Sequence, residues 1–430
     1  MQRKGTLGLI ATNTVAQGDS REVGLDAMVA DGFTITRAIQ SRSWPAASAN
    51  LEYAAVWGTL APVADDVLRM ADDIPVRRIS TLLEPQGRAE GNPLRLKENA
   101  GIAFQGCIVL GMGFVLEAAE AQEWITADPR NAEVLFPYLN GEDLNSRPDA
   151  SPSRWVIDFN DRAEAVAATY PAPYARVRHE VKPERDKLRG RNSTADDRAK
   201  NWWKFGRRSP AMRKAIAPLT EVLVIARVSK TVMPLRVPTG QVASEACVVF
   251  ACDDYGVQAV LSSSLHQLWA ITYGSGMRND PRYTPSDVFE TFPRPEHTEH
   301  LYEIGRAIDD ERRQIMLGRG LGLTKLYNAV NDSAITDSGD SDIARVRALH
   351  EELDRIVLDA YGWSDIDPAH GFHTFRRMER WTVNPTARVE ILDRLLEENQ
   401  LRAREETANC RGSATRRDRV DVLERLGDAR

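Results

Sequence analysis

Residues 1–65 limit the fold more than any other part of the chain, because they carry a strand, one helix and two further strands with a single crossover between them. GTLGLIATN is an apolar run of strand length, Asp19 and Ser20 can cap a helix from about Arg21 to Asp31, and TITRAI and LEYAAVW read as alternating or buried strands. One crossover helix cannot cover both faces of a parallel sheet. The segment therefore reads as the closing strands of an α/β domain whose earlier strands are missing.

With 430 residues, 42% hydrophobic and 27% charged, the chain has room for two or three domains with sizeable cores. No apolar run approaches the roughly 18 to 20 residues that cross a bilayer, and MQRKGTLGLIATNT turns polar too soon for a signal peptide. The cytoplasm is the expected location. Cys107, Cys247, Cys252 and Cys410 form no Cys-x-x-Cys pair and have no histidines at zinc-ligand spacing, so reduced thiols are expected. His370 and His373 stand three apart, but Pro368 and Gly371 argue for a loop and against a metal site.

A net charge of −6 argues against a polyanion partner until its distribution is read. Between Tyr174 and Arg236 there are 17 Lys or Arg against 6 Asp or Glu, a local balance of +11 that leaves −17 elsewhere. Interleaved with Trp202, Trp203 and Phe205, this stretch fits a phosphate-contacting surface, with a solvated helical face as the alternative. The two tryptophans themselves suit core or interface anchors better than base stackers.

Residues 66–100 read as a linker, 101–295 as mixed α and β, and 296–430 as helical, with a disordered loop near 331–342. FQGCIVLGMGFVL, RWVIDF, EVLVIARVS and EACVVFAC are strand-like; AEAVAATYPAPYARVRHEVKPERDKL and SPAMRKAIA are helix-like. Val346, Leu349, Leu353, Val357 and Leu358 form one helical stripe, and the charged end of the chain is expected to fray. The fold class is thus α/β and α+β. Phe104, Gly106, Gly111 and Gly113 look superficially like a cofactor loop, but tight turns between strands explain these glycines better.

The stretch Leu261 to Pro295 packs Ser262 to Ser264, His266, Trp269, Arg278, Asn279, Arg282 and Tyr283 into a short span closed by Phe-Pro-x-Pro. It resembles the end of the target-recognition domain in adenine-specific DNA methyltransferases fused to restriction nucleases, the MmeI-like group. PYLNGEDLN, RWVIDF, Lys182-Pro183-x-Arg185 and Trp202-Trp203 match pieces of the same family, and so does the opening, through Thr12, Asn13, Thr14, Gly18, Asp19, Arg21, Glu22, Trp44 and Pro45. Ala46 stands where that family has glycine. The resemblance implies a Rossmann-like methylase end, a target-recognition domain and a helical tail. It also implies double-stranded DNA as partner, a catalytic methylase half, and S-adenosylmethionine as cofactor of the complete enzyme, where the target adenine is swung out of the duplex. No Asn-Pro-Pro or Asp-Pro-Pro occurs in the sequence, so this chain by itself is expected to bind no cofactor and to be inactive.

Major-groove reading needs forked donors for guanine and amides or carboxylates for adenine and cytosine. Arg227, Ser229 and Lys230 in IARVSKTVMP, and Arg278, Asn279, Asp280 and Arg282 in GMRNDPRY, offer those groups on turns. Arg207 and Arg208 are candidates for backbone phosphates. Ser263 suits a helix cap, and His266 a buried hydrogen bond, each with phosphate contact as the alternative. Two other readings stand beside the first: a stand-alone DNA-specificity subunit acting with a separate catalytic half, and a helical protein-interaction module.

Overall fold

The computed structural model describes residues 5–16, 18–44, 52–64, 66–81, 83–86, 91–274, 281–375 and 378–427. They divide into two compact units, Met1–Pro93 with Asn384–Leu401, and Leu94–Val383 with Arg402–Arg430.

In the first unit β1 (Thr6–Thr12) leads through α1 (Gly18–Arg21), a π turn and α2 (Ala27–Ala30) to β2 (Thr34–Ser43) and β3 (Glu52–Thr59). β3 lies between β1 and β2, antiparallel to both, so the two outer strands run parallel with the helical turns as their crossover. Leu25 and Phe33 close a core with Ile35, Ala38, Ala54 and Val56. Residues 66–100, expected as a linker, instead supply β4 (Arg69–Ala71) and β5 (Ile74–Val76), which extend the sheet in the order β1-β3-β2-β4-β5. They also form a two-residue ladder of β6 (Arg78–Ile79) with β7 (Pro85–Gln86). The β4–β5 turn puts both Asp72 (φ 47°) and Asp73 (φ 65°) in the left-handed region, which the eye expects to find marked by Asn-Gly. Asp73 pairs with Arg37 and Arg42.

The second unit opens with β8 (Ala103–Gln105), β9 (Val115–Glu117), α3 (Ala118–Ala127), β10 (Leu135–Leu139), α4 (Gly141–Ser146) and β11 (Arg154–Ile157). A basic helical stretch follows: α5 (Glu164–Ala167), α6 (Pro171–Glu180), α7 (Lys182–Asp186), α8 (Ser193–Lys200) and α9 (Pro210–Ile216). Then come β12 (Glu221–Ala226), β13 (Leu235–Pro238), β14 (Val242–Ala243), β15 (Cys247–Phe250), α10 (Tyr255–Ser262) and α11 (Ser264–Tyr273). The strands make two four-stranded sheets, β14-β10-β11-β9 and β13-β12-β15-β8. They meet where Cys107 bridges Ser244, and a side chain at Gly106 would stand 2.1 Å from the Ser244 carbonyl oxygen. That close approach explains the glycine of Phe-x-Gly. Both tryptophans of the basic stretch are core residues, Trp202 3% and Trp203 8% exposed.

Helices α12 (Glu299–Arg319), α13 (Leu323–Val330) and α14 (Ser341–Ala360) follow, then the hairpin β16 (Gly371–Phe375) with β17 (Met378–Thr382), and α15 (Pro385–Gly427). The expected stripe is buried at Val346, Leu353, Val357 and Leu358. Two expectations differ here. The segment near 331–342 is an ordered turn, because buried Arg347 donates to the carbonyls of Val330, Asp332 and Ile335 and to the Asp337 carboxylate. The charged end continues as helix to Gly427. His370 pairs with buried Asp354 at 2.8 Å, and Asp354 also accepts from the Ser264 amide at the start of α11.

Candidate nucleic-acid interface

Three backbone segments and one helix start converge just beyond β12. The Arg227 amide donates to the Ala246 carbonyl and the Tyr283 amide to the Arg227 carbonyl, both at 2.7 Å, while Val228 bridges Arg282 in antiparallel sense. Asn140 caps α4, its side chain accepting from the amides of Glu142 and Asp143, while Asp143 accepts in return from the Asn140 amide. A Cβ at Gly141 would lie 3.2 Å from the Ala246 carbonyl oxygen, so the glycine of PYLNGEDLN lets this helix start press against the strand turn. The walls enclose an open cleft of about 780 Å³ lined by Asn140, Glu142, Asn145, Arg227, Glu245 and Arg282 among others. A second cleft of about 1010 Å³ shares Asn140, Glu142, Ser146 and Glu245 with it and runs on to Leu110, Met112, Arg147 and Arg154.

The electrostatics of the first cleft are unbalanced. Partial burial, followed by the positive charges of Arg282 and Arg207, holds the Arg227 pKa below its ordinary value, with Glu245 opposing. Among the described residues Arg227 Nε is buried without a hydrogen-bond partner. Packing guanidiniums together without neutralising them is unfavourable in a partly dry site. An incoming anion or acceptor relieves that strain.

Each residue expected from the sequence now has a place. Arg227 and Arg282 come together in the cleft, and Arg207 joins them electrostatically while its Nη2 donates to the Gly106 carbonyl. Arg208 pairs with Asp161. Ser229 is buried, hydrogen-bonded to Asn145 Oδ1 at 3.2 Å and accepting from the Thr231 amide. Lys230 is exposed, and its carbonyl accepts from Arg380. Ser263 caps α11 by accepting from the His266 amide, and both residues are fully buried. His266 Nδ1 lies 3.0 Å from the Leu261 carbonyl and Nε2 lies 2.9 Å from the Tyr283 hydroxyl, so neither residue is brought to the surface. Arg278 and Asn279 lie outside the described residues. Sequence reading missed Glu245, Asn140 and Glu142; the capping-box pattern of Asn140 and Asp143 was visible, but nothing in EACVVF marks Glu245 as facing an arginine cleft.

Within the basic stretch, charge is sorted into scaffold and surface. Arg176, Lys182, Arg189, Arg208 and Arg213 are paired with carboxylates. Arg185, 3% exposed, donates to the carbonyls of Arg198, Asn201, Trp202, Lys204, Val109 and Leu110. Arg178, Lys187, Arg191, Lys200 and Lys214 stand exposed.

A family model described as the target recognition domain of MmeI matches residues 101–296, the part that contains this cleft. Residues 101–296 are an MmeI-type target recognition domain. The fold agrees with the solved structure of the type IIL restriction-modification enzyme MmeI in complex with DNA, at TM-score 0.60 and 18% identity, over 94% of this chain and 50% of that one. The chain thus spans about half the length of that enzyme. The type IIG restriction endonuclease BpuSI is a weaker likeness, with TM-score 0.32 and 10% identity, covering 84% of this chain and 48% of its own. No curated protein matched. All the cleft residues named above fall inside the target recognition domain.

Proposed function

We propose that this chain binds double-stranded DNA through its target recognition domain, as the specificity part of a site-specific adenine methyltransferase in a restriction-modification system. Arg227 and Arg282 read base edges, and Arg207 and Lys230 hold flanking phosphates. One observation carries this reading: two guanidiniums face one cleft without a salt bridge among the described residues, and the charges of Arg282 and Arg207 both bear on Arg227. Glu245, Glu142 and Asn140 supply the acceptors and amide that cytosine and adenine require. Arg278 and Asn279, which precede Asp280, Pro281 and Arg282 in the sequence, are assigned to the same reading head. Ser263 and His266 act through Tyr283, positioning the cleft rather than touching DNA.

Catalysis belongs to a methylase half, encoded upstream in the same polypeptide or separately. β1 supports this, since it forms the edge of its sheet and exposes Leu9 and Ile10. The glycine loop of Phe104 to Gly113 does not fit S-adenosylmethionine: Gly106 is pressed against Ser244, and Gly111 and Gly113 against Val181 and Glu180, leaving no cradle for a nucleoside there. Calorimetry on the purified chain should show no saturable S-adenosylmethionine uptake; micromolar binding would place a cofactor site on this half after all.

Binding is tested by fluorescence anisotropy, first on a random-sequence duplex and then on duplexes selected from a randomised pool. Log affinity should fall with log salt at a slope of about 0.9 per phosphate contact. Arg207→Glu should weaken all duplexes alike. Arg282→Ala should cost about 1–3 kcal/mol on the selected site and scarcely alter random duplex. A flat salt response would favour a protein-interaction module, and equal losses on both duplexes would make Arg282 a phosphate contact.

A further inference from the structure

The target recognition domain exposes an apolar turn that DNA binding through the arginine cleft does not yet explain. Met112 is 69% and Leu110 42% exposed, both on the wall of the second cleft, which is continuous with the first through Asn140, Glu142, Ser146 and Glu245. Two large apolar side chains standing in water on either side of one glycine, on the wall of a cleft, mark a contact surface.

The turn is built to hold them there. Leu110 sits at φ 55°, a left-handed conformation that a leucine adopts only where its surroundings impose it. Gly111 at φ 142° comes next, and a Cβ on it would stand 3.1 Å from Val181 Cγ2; a Cβ on Gly113 would stand 2.6 Å from Glu180 Cβ. The end of α6 thus presses on the glycines from one side and leaves Met112 between them pointing away. Phe114, fully buried against Phe205 with ring centroids 5.4 Å apart, nails down the other end. Arg185 donates to the carbonyls of Val109 and Leu110, tying the turn to the same guanidinium that gathers Trp202 and Lys204.

The turn is also placed beside the cations. Ile108 and Arg207 exchange backbone hydrogen bonds, and a Cβ at Gly206 would stand 3.1 Å from Leu110 Cβ. The first cleft, with Arg227 and Arg282, and the second, with Leu110 and Met112, share Asn140, Glu142, Ser146 and Glu245. The second cleft carries Glu117, Glu142, Asp143, Glu184 and Glu245 against Arg147 and Arg154, a lining that disfavours phosphates beside the turn and leaves the apolar side chains as its means of contact.

Resting on the proposed DNA binding, we infer that the Leu110–Gly111–Met112 turn is an apolar wedge that enters the base stack of the bound duplex. Insertion separates one base step and bends the helix, as apolar side chains inserted between base pairs do. Its energetic cost depends on how easily that step unstacks, so the wedge adds selectivity at a position that no hydrogen bond reads.

The test needs no knowledge of the recognised sequence. Full-length chain is titrated with two 30-bp duplexes of one sequence, one intact and one with a central abasic analogue opposite 2-aminopurine, where the unstacking cost has already been removed. Wild type should prefer the abasic duplex by about 10-fold, the size expected when part of an unstacking cost is relieved, and should raise the 2-aminopurine emission. Met112→Ser and the double variant Leu110→Ala with Met112→Ala should bring the preference within about twofold and abolish the emission change, with intact-duplex salt slope preserved. Both variants are checked by circular dichroism, and Met112→Ser, at an exposed position, keeps the test alive if the double variant misfolds. A preference and emission unchanged in Met112→Ser overturn the wedge and leave the arginine cleft standing. Loss of a dimer in sedimentation, with unchanged duplex preference, would assign the turn to a second copy of the chain and also overturn it. Failure of wild type to bind either duplex overturns the DNA reading itself.

Discussion

Replacing Arg185 with Leu is expected to cost on the order of 3–5 kcal/mol of stability. The guanidinium is 3% exposed and collects six carbonyl oxygens, the shortest contacts being 2.6 Å to Lys204 and 2.9 Å to Leu110. Burial pushes its pKa down to about 10, which still leaves it charged at pH 7. A leucine of similar volume fills the space but donates nothing, so the carbonyls of Trp202, Lys204 and Leu110 lose this partner, while those of Val109 and Asn201 keep the amides of Gly206 and Lys204. Arg185→Lys should recover only part of the loss, because one ammonium cannot span acceptors on both 109–110 and 198–204. Urea midpoints measured with constant m-value decide the matter. A wild-type midpoint in Arg185→Leu would mean these contacts are replaced at no cost, and the pinning of the apolar turn to the basic stretch would go with them.

That residue also shows what the sequence could and could not tell. Lys182-Pro183-x-Arg185 stood out as a pattern, but a charge run advertises solvent exposure, and nothing local says that one arginine of the run is folded inward as a scaffold. The opening strands were legible because hydrophobic runs of strand length are local signals. β4 and β5 were not, since strands of three residues joined by Asp72 and Asp73 carry too little pattern to separate from a linker. The capping serine and the buried histidine of LSSSLH were readable from residue chemistry, which fixes what a hydroxyl before an apolar run does. Convergence of Arg227, Glu245 and Arg282 was not, as it depends on which turns the two sheets bring together. Glycines 106, 111 and 113 were read as turn residues, and the backbone or side-chain atoms pressed against each give the physical reason.

Acid should destabilise this chain well before its exposed carboxylates titrate. Burial lowers the pKa of both His266 and His350 from 6.5 to about 4, in His350 aided by Arg312 and His370 and opposed by Asp354. Each ring faces a tyrosine hydroxyl: His266 Nε2 lies 2.9 Å from that of Tyr283, and His350 Nε2 2.7 Å from that of Tyr327, to which Arg312 also donates. The folded pKa lies below the unfolded one, so between them the unfolded chain binds more protons. Stability is therefore complete above pH about 6.5 and is lost as pH falls toward 4, by about 3 kcal/mol per histidine at 1.36 kcal/mol per pKa unit. Urea midpoints at pH 7 and pH 4.5 should differ strongly in wild type. His350→Asn, which keeps an acceptor for Tyr327 without a titrating ring, should shrink that difference by about half. A wild type equally stable at both values would show that these rings are not buried neutral. The effect on DNA binding separates this device from simple charge. Lowering pH neutralises carboxylates and, on Coulomb grounds, should strengthen attraction to a polyanion. Protonating His266 instead removes the acceptor for Tyr283, whose amide holds the Arg227 carbonyl, so the reading cleft should loosen and selected-site affinity should fall while random-duplex affinity holds or rises. Parallel gains on both duplexes in acid would uncouple His266 from the cleft.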